Sequence, residues 1–158
     1  MTIHAKTKSD LCIIRTLAEV PVLLGSLLEV LRGLDYSDRD RFCVHVSLEE
    51  VIVNAIRHGN REDPLKTVQI RYHATPQQFT IEIQDEGAGF DPDSVPDPLD
   101  AENLERPGGR GIYIAQHCMT WVKYNDVGNC VTLCKVQAVS EKLLLGGPDC
   151  LRYGSAVP

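Results

Sequence analysis

The chain of 158 residues has no apolar run long enough to cross a bilayer and no leader with the layout of a signal peptide. It has no basic stripe either. Acidic residues outnumber basic ones, 22 to 16, and a net charge of −6 argues against a general binder of DNA or RNA. No CxxC spacing occurs among the six cysteines, Cys12, Cys43, Cys118, Cys130, Cys134 and Cys150. With no secretion signal, they read as reduced core or surface thiols of a cytoplasmic protein. Cys130 and Cys134 share one face of a strand-like run, where a metal site is the lesser reading. There is no internal repeat and no low-complexity tract. The length suits one domain with a real core.

Periodicity organises what is present. Leu11 to Arg15 reads as a short strand. Val20, Leu23, Leu24, Leu27, Leu28 and Leu31 recur at helical spacing, with Pro21 in the first turn and Gly33 at the stop. Core packing is the simpler use of the Leu23, Leu27 and Leu31 stripe; a dimer face is the other. A second helix is expected from a Ser37 cap, with Asp38 and Asp40 at its positive end, to Arg57 or His58. There Gly59 would take the left-handed stop conformation. Val68, Ile70 and Tyr72 alternate along one strand, and Phe79, Ile81 and Ile83 along the next; the Thr75 to Gln78 turn makes them a hairpin.

Asp91 to Pro107 carries four prolines and six acids without periodicity, so it reads as a long loop of the lid or binding kind. A helix over Arg110 to His117 and a second hairpin about Asp126-Val127-Gly128 follow. Helices first and antiparallel strands later predict an α+β domain, a two-layer α/β sandwich with a mainly antiparallel sheet. The domain is expected over residues 8–138. Residues 139–158 form a tail with no firm assignment.

Three segments carry chemistry. On the second helix Val44, Leu48, Val51, Ile52 and Ala55 give an apolar face, which Phe42, Val46, Val53 and Ile56 widen. Cys43, Ser47, Glu50, Asn54 and His58 form a narrow polar stripe beside it, so Glu50 and Asn54 project alike from successive turns. An exposed polar stripe explains that pattern as well as a site does. Asp85-Glu86-Gly87-Ala88-Gly89 leaves a strand end; Asp85 can accept from an exocyclic amine, and Gly87 and Gly89 permit close approach, although a plain turn has the same composition. Gly108-Gly109-Arg110-Gly111 opens a helix, where free amides favour an anion, and a hinge is the alternative. No Gly-Lys-Ser/Thr follows, so it is not a Walker A loop.

In this order the three segments resemble the asparagine box and the two glycine boxes of the ATP-binding fold shared by gyrase, histidine kinases and MutL. Three stretches narrow the likeness: Glu50-x-x-x-Asn54-Ala55-Ile56-x-His58-Gly59, Glu105 to Ile112, and Gly128-Asn129-Cys130-Val131-Thr132-Leu133. Together they are similar to the RsbW/SpoIIAB group of anti-sigma factor serine/threonine kinases, from about Lys8 to Val136.

The resemblance implies a Bergerat-type fold, of histidine-kinase-like ATPases, that binds ATP and Mg²⁺. It makes Asn54 the Mg²⁺ ligand and Glu50 the base beside the γ-phosphate. Asp85 would read the adenine amine, with Gly87 and Gly89 as pocket wall. The Gly108, Gly109 and Gly111 segment, with Arg106 or Arg110, would hold phosphates. It further implies a protein kinase that sequesters a sigma factor or phosphorylates a STAS-domain anti-anti-sigma protein on serine. A homodimer is also among its expectations; nucleic acid and membrane are not. The rival reading is an ATP/ADP-responsive interaction module without catalysis, against which Glu50 counts. A histidine-kinase catalytic domain is the other, and the early first strand leaves no room for a phospho-accepting helical hairpin. His58 reads as a helix-terminal histidine, with a ligand role as the lesser reading.

Overall fold

The computed structural model describes residues 7–94, 99 and 110–137. Strand β1 spans Lys8–Ile14 and leads through a short 3₁₀ turn, Leu17–Glu19, into α1, Val20–Gly33. Helix α2 follows over Asp38–Asn54, then a turn of π-helix over Ala55–Gly59. Next come β2 (Val68–Ala74), β3 (Gln78–Gln84), α3 (Arg110–Cys118), β4 (Trp121–Tyr124) and β5 (Cys130–Val136). The sheet has five strands in the order β1-β2-β3-β5-β4, and every pair is antiparallel. No helix among the described residues is long and apolar enough to cross a membrane.

Alternation decides which sheet face is buried. Registers pair Ile70 with Ile83 and Tyr72 with Ile81, then Ile83 with Val131 and Ile81 with Leu133. These neighbours, with Val68 and Phe79, form one apolar face of the pleat. Leu23, Leu24, Leu27 and Leu31 of α1 and Val44, Leu48, Val51 and Ile52 of α2 join them in a single core. The leucine stripe of α1 is therefore core. The opposite sheet face is mixed: an Arg71–Glu82 ion pair at 3.0 Å lies beside the exposed Leu11 and Ile13 of β1.

Four local expectations change. The first strand is Lys8–Ile14, earlier than Leu11 to Arg15, because β1 pairs along the whole of β2. Ser37 does cap α2, its Oγ accepting from Asp40 N at 3.0 Å, but Gly59 is not a left-handed stop. The helix instead loosens into the π turn, and Arg61 and Glu62 take the positive φ values, 55° and 56°. Phe42 does not widen the core face. It is 64 % exposed, because the sheet and the neighbouring helices leave that flank of α2 uncovered. The 3₁₀ turn Pro92–Ser94 interrupts the start of the expected loop, most of which lies outside the described residues, as does the tail after 137.

Candidate functional site

Helix α2 brings Glu50 and Asn54 to the start of α3. Glu50 is exposed and Asn54 half-buried, one turn apart. A methyl group placed on Gly111 would meet Glu50 Oε2 at 2.8 Å and Asn54 Nδ2 at 3.2 Å. The missing side chain thus lets the first turn of α3 seat directly on both polar groups. That turn also carries the positive end of the helix dipole.

A second group gathers where β3 ends. The Asp85 amide donates to Asn129 O at 2.9 Å, and its Oδ1 accepts from Gly87 N at 2.7 Å. Gly59 stands close behind; a methyl there would lie 2.3 Å from Asp85 Cγ. Burial raises the Asp85 carboxyl above the ordinary aspartate range, and the Gly87 amide and the Lys66 charge pull it part of the way back. A half-buried carboxylate with spare acceptor capacity suits a neutral N–H donor.

Asn60 ties this loop to the end of the π turn. It is fully buried; its Oδ1 accepts from Glu86 N at 2.8 Å and its Nδ2 donates to Thr67 O at 3.0 Å. One side chain therefore fixes three segments. Nothing in the local sequence singles it out, because its partners lie seven and twenty-six residues away.

The β4–β5 turn closes the far side. Asn125 Oδ1 accepts from the amides of Gly128, Asn129 and Cys130. Gly89 and Gly128 hold φ values of 79° and 82°, which suit glycine. Phe90 meets Tyr124 edge to face, with centroids 5.2 Å apart. Burial pushes the Tyr124 hydroxyl up to about 12, so it remains protonated at neutral pH.

Between these groups lies a cavity of about 320 Å³, large enough for a small-molecule ligand. Val51, Ala55, Ile83, Ile112 and Val131 give it apolar walls, and Asn54, His58, Arg61, Asp85 and Asn129 give it polar ones. Of the expected site residues, Asn54, Asp85 and Gly89 line it. Gly87 stands behind Asp85, and Glu50 and Gly111 pack together beside Asn54. Arg110 is exposed at the first position of α3. Arg106, Gly108 and Gly109 lie outside the described residues. No site role followed from the sequence for Arg61, Phe90, Tyr124 or Asn129, although Asn129 stands in the Gly128 to Leu133 stretch that carries the resemblance.

A sequence model of the histidine kinase-like ATPase domain matches residues 14–135, most of the chain. The chain belongs to that family. The serine/threonine-protein kinase BtrW of Bordetella bronchiseptica is 28% identical to it over 102 residues, which cover 62% of this chain and 72% of that protein. As a histidine kinase-like ATPase domain it binds ATP, and among the described residues an antiparallel sheet under three helices makes the two-layer α+β sandwich of the family.

The cavity of this histidine kinase-like ATPase domain fits its nucleotide. The apolar walls suit a purine, Asp85 offers an acceptor, and the bare backbone at Gly59 leaves the Asp85 carboxylate room to stand at the wall. A magnesium ion fits as well. Such a site uses one or two protein oxygens and takes the rest from phosphates and water, and the side-chain oxygen of Asn54, which lines the cavity, would supply one.

Proposed function

We propose that this protein is an ATP-dependent serine/threonine kinase and anti-sigma regulatory factor of a partner-switching system, whose phosphate acceptor is a serine on a STAS-type antagonist. The observation that carries the reading is the seating of Gly111 on Glu50 and Asn54 next to the cavity that holds Asp85. Asp85 would accept from the adenine amine, which places the phosphates toward Asn54 and the α3 amides. Asn54 would hold Mg²⁺ through its side-chain oxygen, and the ion would neutralise charge on the phosphates when bound. Arg106, Gly108, Gly109 and Arg110 are assigned to the same end.

Glu50 is exposed where an acceptor hydroxyl can approach. Its carboxylate would take the serine proton as the serine oxygen attacks the γ-phosphorus and ADP leaves, a contribution of about 10²–10⁴-fold. The similarity to BtrW supports the kinase class over an ATPase without a protein acceptor. The test is incubation with Mg-ATP and the STAS-type proteins of the same genome, followed by phosphosite mapping. The reading expects phosphoserine on one of them with wild type and none with Asn54→Ala. ATP binding without transfer to any of them would replace it with the interaction-module reading.

A further inference from the structure

Arg61 lines the nucleotide cavity and has no part in the roles assigned above. Among the described lining residues it is the one arginine or lysine, and Asp85 is the one carboxylate. The two are not paired. Lys66 is the cation that acts on the Asp85 carboxyl, and Glu62, next to Arg61 in the chain, lies 3.7 Å from Arg57 instead. Among the described residues the Arg61 side chain makes no ion pair and no hydrogen bond. It is exposed, so its guanidinium stands at the mouth of the cavity with its charge unmatched.

The backbone that carries it is strained and fixed. Arg61 holds φ at 55°, in the left-handed region where Cβ crowds the carbonyl and glycine fits better. The amides on either side are tied to the π turn: Asn60 N donates to Ala55 O and Glu62 N to Ile56 O, both at 2.8 Å. Buried Asn60 also accepts from the Glu86 amide, beside Asp85. A long charged side chain is therefore kept where a glycine would relieve the backbone, a pattern that gathers at ligand clamps. Position decides which part of a nucleotide it serves. Gly59, two residues earlier, stands directly behind the Asp85 carboxylate. Asn54 is seven residues back, roughly 10 Å along the helical path. Arg61 belongs to the Asp85 end.

We propose that Arg61 is a base-binding residue, its guanidinium lying flat on the open face of the adenine whose amine Asp85 accepts. A guanidinium is planar, delocalised and weakly hydrated, so it stacks on an aromatic face in a way that a compact ammonium does not. The apolar walls cover the rest of the base, and the stacked arginine closes the side that faces solvent. The contact is made to the base and not to the phosphates, so it serves ATP, ADP and adenosine alike. This inference rests on the nucleotide orientation argued above, with adenine at Asp85 and phosphates toward Asn54.

The experiment measures binding of ATP, ADP and adenosine to the full chain as wild type, Arg61→Ala and Arg61→Gly. Adenosine is followed by competition against a fluorescent ATP analogue. Salt at about 0.15 M damps long-range attraction between a cation and the phosphates. In both variants all three ligands are expected to bind more weakly by a similar factor, at least about threefold. Arg61→Gly, relieved of the left-handed strain, is expected to melt at or above the wild-type temperature without nucleotide. Affinity and stability then move apart, which a damaged fold would not produce. Unchanged affinities in Arg61→Ala overturn the proposal and leave the nucleotide site standing. A loss for ATP and ADP with adenosine unaffected also overturns it, because the arginine then meets phosphate. A lower melting temperature in Arg61→Gly overturns it in favour of a structural role. Wild type that binds none of the three overturns the nucleotide site itself, and the stacking with it.

Discussion

Asp85 is the residue whose titration can be read most directly. Its carboxyl is raised by burial, so the folded pKa lies above the unfolded one. The sign follows from linkage: its contribution to stability is fully present at low pH and is lost as pH rises through the folded value. The ligand has the opposite preference, because only the carboxylate keeps an unprotonated oxygen to accept from an adenine amine while Oδ1 accepts from the Gly87 amide. ATP affinity should therefore fall on acidification at a higher pH than an ordinary aspartate would give. Asp85→Asn should remove that pH dependence and weaken ATP by about 10–100-fold, the scale of a charge-assisted hydrogen bond. The same variant should be more stable than wild type at pH 7 without nucleotide. Calorimetric titration between pH 5 and 8 and thermal melts measure both; an unchanged ATP affinity in Asp85→Asn would remove this residue from the site.

Gly59 makes a complementary case. A methyl there collides with the Asp85 carboxylate, whose short side chain has to swing away. Gly59→Ala should keep the fold and bind ATP about tenfold more weakly or worse, as the adenine contact is lost. Its circular dichroism spectrum and its affinity, taken together, separate this from simple unfolding. Wild-type affinity in a folded Gly59→Ala would mean that Asp85 does not hold the base.

At the scale of elements, patterns of period two and 3.6 carried most of the information. Val68 and Ile70, and Phe79, Ile81 and Ile83, alternate cleanly because one sheet face is buried and the other is wet. The α1 leucines are legible for the same reason. Phe42 is not: an apolar residue on the flank of a helix looks the same in sequence whether or not another element covers it. The π turn at Ala55–Gly59 was also hidden, since those residues continue a helical pattern and only the tertiary demand of Asp85 on Gly59 displaces the stop to Arg61 and Glu62. Asn60, held by partners distant in sequence, and the Phe90–Tyr124 pair, split between two loops, have no local signature at all.

Asn60 also gives the clearest test of how these elements are joined. Asn60→Ala leaves the Glu86 amide and the Thr67 carbonyl without their buried partner, each at a cost of about 1–3 kcal/mol. Urea denaturation should show a loss of about that size or more, with ATP binding weakened in the molecules that remain folded. Stability within experimental error of wild type would mean that other contacts hold the Asp85 loop in place.

At the scale of the molecule, the described residues form a two-layer sandwich whose cavity lies between α2, α3 and the two loops. The family match fixes the ATP-binding domain; the proposed chemistry rests on how Glu50, Asn54 and Gly111 meet. Binding and chemistry are separable in this arrangement. Asp85 and the apolar walls would hold the nucleotide, and Glu50 would act on the acceptor hydroxyl alone. The most direct measurement is therefore single-turnover phosphoryl transfer from Mg-ATP to a STAS-type acceptor by wild type and Glu50→Gln, with the ATP dissociation constant determined for each. The account predicts dissociation constants within about twofold and a transfer rate reduced by about 10²–10⁴-fold in the variant. Equal transfer rates at equal affinity would contradict it.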